Sequence, residues 1–166
     1  MNRLIRFLSL PLLMAALPAA ALGDHPAHAP GSTAPVPAEV QVSLQADALA
    51  TLPREPVSAS AHGRTLDCTG IPLVALLRHA QAMPAEPLRG AQLARRVEAI
   101  ARDGYRVTFS LAELDPTLGN RRVLLVDRCD GKPLDDNDGP LRLIVPEDSR
   151  PARWIRQLER LSVLSP

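Results

Sequence analysis

Aromatic side chains are nearly absent from this 166-residue chain: one Trp, one Tyr and two Phe, 2% in all. A core with so few rings is built from Leu, Val, Ile and Ala, and Tyr105 and Trp154 are expected to pack rather than to catalyse. No excess charge of either sign is present, since the formal net charge is only +1. That excludes the electrostatic footprint of a nucleic-acid-binding protein and of a protein drawn to anionic membranes. Lysine occurs once, at Lys132, among 19 basic residues, a compositional bias rather than a site. No Gly-x-Ser-x-Gly elbow occurs, and neither His62 nor His79 has an acid at dyad spacing, so a serine-hydrolase arrangement is not encoded. Internal repeats are missing as well.

The apolar run from Phe7 to Leu17 is short for a membrane span. Arg3 and Arg6 precede it, and Ala19-Ala20-Ala21 or Ala21-Leu22-Gly23 follows as a cleavage site, so residues 1–23 have the pattern of a secretion signal. An uncleaved anchor is the alternative. The two arginines are separated by Leu4-Ile5, so no twin-arginine pair exists. The expected location is periplasmic or secreted, with no membrane association after cleavage. Residues 24–38, rich in Ala and Pro, form a flexible linker in which His25 and His28 lack a Cys or acidic partner for a metal.

Only Cys68 and Cys129 are present. An even count in an oxidising compartment predicts a Cys68–Cys129 disulfide, closing a loop worth about 4 kcal/mol. Two unpaired buried thiols are the alternative.

Residues 39–166 carry the ordered domain. Strands are expected at 40–44, 57–61, 64–68, 97–101, 105–109 and 122–127, with period-two alternation at 40–44, 57–61 and 105–109 and a Val/Leu-rich run at 122–127. His62-Gly63, Asp103-Gly104 and Asp130-Gly131 supply the turns between them. Thr69-Gly70 is expected to break the third of these strands. Leu73, Leu76, Leu77 and Ala80 share one helical face behind Pro72, short helical turns are expected at 46–52 and 90–95, and Ser110 with Glu113 has capping-box spacing. Leu141 to Val145 forms a central strand, and 157–164 forms a strand at a sheet edge. The pattern is α+β, a mixed sheet with short helices. Asp135-Asp136-Asn137-Asp138-Gly139 lacks the first and twelfth ligands of a calcium loop and is expected as a solvated turn.

Gly139-Pro140-Leu141-Arg142-Leu143-Ile144-Val145-Pro146, followed by Arg150-Pro151-Ala152-Arg153-Trp154, is the most distinctive block. Paired arginines beside an aromatic can cradle an anion, because guanidinium binds its oxygens bidentately and stacks on rings. Arg142, Arg150, Arg153 and Trp154 are therefore the candidate anion site. Arg142 on a buried strand needs either an ionic partner, Asp103 or Asp127, or a ligand.

This block resembles the end of the molybdopterin-binding domain of the sulfite oxidase family, where G-P-x-R-hydrophobic-V-P precedes a basic K-x-x-K-W segment. Thr69-Gly70-Ile71-Pro72-Leu73-x-x-Leu76-Leu77, Asp103-Gly104-Tyr105-Arg106-Val107 and Asp130-Gly131-Lys132-Pro133-Leu134 resemble further blocks of that domain in the same order, over about residues 55–164. The resemblance implies a sulfite oxidase-type fold and a molybdenum held by the pterin dithiolene and one cysteine thiolate. Residues 57–62, where that thiolate would stand, contain no cysteine. The expectation is an accessory or binding module for a protein partner that holds no metal through cysteine. The alternatives are a working molybdopterin-dependent oxidoreductase and a structural domain without ligand.

Overall fold

The computed structural model describes residues 37–166; the expected export signal and all but the last two residues of the expected linker lie outside the described residues. The domain is α+β, with two antiparallel sheets and a few short helices. This corrects the expected mixed sheet: every strand pair is antiparallel.

The second sheet is built on a hairpin. Strands β2 (Glu55–Ala61) and β3 (Arg64–Pro72) pair around His62-Gly63, both at positive φ, as a tight primed turn requires. Strand β6 (Leu124–Cys129) adds to β3, and β7 (Lys132–Pro133) and β8 (Arg142–Ile144) add to the far side of β6. Thr69-Gly70 does not end β3 as expected. A bulge there lets the strand run on to Pro72, and Gly70 survives inside it because β6 comes too close for a side chain. A Cβ at Gly70 would lie 2.6 Å from Val126 Cγ1 and 2.8 Å from the Leu125 oxygen.

The first sheet has the order β1 (Glu39–Gln41), β9 (Leu158–Leu164), β4 (Arg96–Ala101), β5 (Arg106–Ser110). Strand β9 therefore lies inside the sheet, not at the expected edge. Its buried Leu158, Leu161 and Val163 face the core while its backbone pairs on both sides. Strand β8 also differs from the expectation, because it pairs with β6 alone and is not central. Its open edge is closed by the following segment: the Leu143 N–H donates to the Ile155 oxygen at 2.9 Å, and the Leu158 N–H donates to the Leu141 oxygen at 2.9 Å. This explains how three consecutive residues on an outer strand are all buried.

Helix α1 (Ala46–Ala50) is one turn; α2 (Leu73–His79) starts behind Pro72 and buries Leu73, Leu76 and Leu77; α3 (Leu111–Leu114) is capped by Ser110, whose Oγ accepts from the Ala112 N–H. Glu113 does not complete a capping box; it reaches Arg153 instead. The apolar core joins both sheets through residues such as Ile71, Leu125, Leu143, Val97 and Phe109. Cys68 and Cys129 are register partners on β3 and β6 and form a disulfide. Among the described residues, no helix is long and apolar enough to cross a membrane.

Candidate binding cleft

A cleft of about 620 Å³ opens where the β2–β3 turn of one sheet meets the β4–β5 turn of the other. That volume falls in the range of roughly 300–1,000 Å³ usual for small-molecule sites. His62 and Arg64 line it from the first turn, Asp103 and Tyr105 from the second, Asp135 and Asp138 from the loop before β8, and Arg142, Trp154 and Arg156 from its base and side.

Arg142 enters the cleft from β8 and is only 8% exposed. Its partner is neither Asp103 nor Asp127. Nη1 donates to Asp138 Oδ2 at 2.7 Å, an i,i+4 contact made across the Gly139-Pro140 turn. Asp127 is engaged elsewhere, by Arg54 through two hydrogen bonds of 2.7 and 2.9 Å. The Arg142 head also lies over the Trp154 ring, 5.8 Å from its centroid, a cation–π contact. Burial holds the guanidinium below its ordinary pKa, and Asp138 offsets part of that shift. Arg142 Nε is buried without a partner among the described residues.

Trp154 packs, as expected from the scarcity of rings: it is 4% exposed, and its Nε1–H donates to the Val145 oxygen at 2.9 Å. Tyr105 does not. It is 51% exposed, and its hydroxyl donates to the Ala152 oxygen at 2.8 Å. This bond ties the β4–β5 turn to the segment that precedes Trp154 and fixes the ring on the cleft wall.

The other two arginines of the sequence-derived anion site do not line this cleft. Arg150 is exposed. Arg153 spends its whole head on carboxylates: Nε and Nη2 donate to Asp148 at 2.8 and 2.7 Å, and Nη1 donates to Glu113 at 2.8 Å. Those bonds, the Asp148 pair foremost, raise its pKa above the usual arginine value, and its head sits over Phe109, 4.9 Å from the centroid. This arrangement locks the 148–154 segment to α3 and leaves no edge for a ligand. So the structure brings Arg142 and Trp154 together and separates them from Arg150 and Arg153.

Sequence reasoning missed Arg64, Arg156 and Asp138. Asp138 lay in a stretch weighed only as a calcium loop or a turn. Its Asp135 does cap that turn, with Oδ1 accepting the Asn137 and Asp138 N–H groups at 3.0 Å each. The spacing of Asp138 and Arg142 was the available signal. Among the described residues, no cluster of three or more His, Cys, Asp or Glu is placed to hold a metal. No protein-family model matches this chain, and no curated protein does.

Proposed function

We propose that this chain is an exported binding or accessory module with a sulfite oxidase-type molybdopterin-domain architecture that works without cysteine-held molybdenum. The observation that carries this reading is the Cys68–Cys129 disulfide. A molybdenum of that family needs a thiolate, a soft ligand that must be deprotonated and free. Both cysteine sulfurs of the chain are bonded to each other between β3 and β6, so neither has a thiolate to offer. The donor set therefore does not fit a cysteine-ligated metal, and no electron-transfer step is assigned.

The order of the four motif blocks supports the architecture, and Arg142, buried yet bordering an open cleft, supports binding as the role. Burying a guanidinium is costly, and replacing such a charge by an apolar residue is often neutral or stabilising. Its position beside a cleft is therefore better explained by what it binds than by what it stabilises. A protein partner would supply or receive the ligand.

Metal analysis tests the reading. Protein purified from a host that makes molybdopterin should contain no molybdenum above the buffer blank, and should show no titratable thiol until it is reduced. Stoichiometric molybdenum in the folded, oxidised protein would overturn it.

A further inference from the structure

The polar groups left open in the cleft are of both kinds. Asp103 and Asp135 each spend Oδ1 on backbone N–H groups, at 2.9 and 3.0 Å, and neither Oδ2 is hydrogen-bonded among the described residues. Asp138 gives Oδ2 to Arg142, and its Oδ1 has only Arg156, 3.9 Å away. Donors stand beside these acceptors. Arg64 and Arg156 are exposed and make no hydrogen bond among the described residues. Of the Arg142 head, Nε is sealed from solvent, and Nη2 alone is neither bonded nor sealed. One open nitrogen offers no fork for a carboxylate, but it suits a single hydroxyl oxygen.

Charge points the same way. Three arginines face three aspartates, so the lining is balanced apart from His62. A ligand of either sign would be attracted by one set and repelled by the other. A neutral polyol meets no such opposition, and each of its hydroxyls both donates and accepts.

Tyr105 adds a flat face. Its ring is exposed, and its hydroxyl is held by the Ala152 oxygen at 2.8 Å, so the ring stands fixed on the cleft wall. A pyranose whose substituents are all equatorial has faces made of axial C–H groups, which pack on the negative face of an aromatic ring. The wall around Gln157 is fixed as well. Its N–H donates to the Asp138 oxygen and its oxygen accepts the Arg102 N–H, both at 3.0 Å, while Nε2 donates to the Asp136 oxygen at 2.5 Å. Walls held in advance lose little freedom when a ligand enters.

Building on the binding-module reading, we propose that the cleft binds a neutral saccharide of equatorially substituted pyranose rings. One ring stacks on Tyr105, and its hydroxyls are shared between the free aspartate oxygens and the open arginine nitrogens.

Calorimetric titration of the full, oxidised chain with three probes tests this: methyl β-D-glucopyranoside, methyl β-D-glucuronide (the same ring with a carboxylate) and sorbitol (hydroxyls without a ring face). The neutral glucoside should bind about tenfold more tightly than sorbitol and about threefold more tightly than the glucuronide. Tyr105→Ala should weaken the glucoside by about tenfold, whereas Tyr105→Phe, which keeps the face and loses only the hydroxyl bond, should stay within about threefold of the parent. Arg156→Ala, at an exposed position, should cost about threefold, and it decides alone if the Tyr105 variants do not fold. Three results would overturn the proposal: glucuronide or sorbitol bound as well as the glucoside, variants that depart from this order, or no glucoside binding at all. Metal analysis of the same preparation keeps the two ideas apart. Stoichiometric molybdenum refutes the binding-module reading, whereas metal-free protein that ignores the glucoside refutes only the saccharide site.

Discussion

Asp115 is fully buried, and no other carboxylate among the described residues is. Its Oδ1 accepts from the Thr117 hydroxyl and N–H at 2.7 Å each, and its Oδ2 accepts from the Leu88 N–H at 2.9 Å. The Thr117 hydroxyl bond, followed by the backbone bonds, depresses its pKa below the usual aspartate range. A depressed folded pKa means that the ionised carboxylate stabilises the fold above the unfolded value, near 4, and that this stability fades as pH falls through the folded value. Asp115→Asn should therefore lower the melting temperature at pH 7, and the gap to the parent should close on acidification below about pH 4. Thermal melts of both proteins across that range check the sign. At this scale the sequence was partly legible. Arg142 stood out as a charge on an apolar strand, and Ser110 as a cap. Asp138 stands four residues before Arg142, but that spacing marks a pair only on a helix, and here it is the path of the Gly139-Pro140 turn that brings the two together. Arg153 looked like half of an anion cradle, but its carboxylate partners come from α3 and from its own loop, and no local pattern pairs them.

Turns were the most readable elements. His62-Gly63, Asp103-Gly104 and Asp130-Gly131 lie where their sequence places them, and all but Asp103 adopt positive φ, which short polar residues and glycine tolerate best. Pairing was less readable. Alternation in 157–164 revealed a strand but not its neighbours, because β1 and β4 contact it from far away in the sequence. Gly70 misled for a different reason: glycine ends strands often, yet here it answers a steric demand from β6. Gly70→Ala pushes a methyl carbon against the Leu125 carbonyl oxygen, a backbone atom that cannot rotate away. The expected loss is about 1–3 kcal/mol, measured by urea unfolding. A change of similar size at Gly63, where a Cβ meets nothing within 4 Å, would carry only the cost of its positive φ.

At the scale of the molecule, the α+β class followed from the mixture of alternating strands and short helical faces. The division into two antiparallel sheets did not follow, because it depends on which strands share an edge. The Cys68–Cys129 bond belongs to this scale, since it spans 61 residues of chain that include α2, β4, β5 and α3. By loop closure alone it restrains the unfolded chain by about 4 kcal/mol. Reduced and alkylated protein should therefore unfold at a clearly lower urea concentration than the oxidised form, with two thiols titrating only after reduction.

Strand β9 carries a consequence for how the molecule comes into being. Strand β4 needs it as a neighbour and β1 has no other, yet β9 runs from Leu158 to Leu164, after every other strand of either sheet. A polypeptide emerging from a ribosome or a translocation pore presents 39–41 and 96–110 long before their shared partner arrives. Assembly of that layer is thus a late event, completed only once the tail has been delivered.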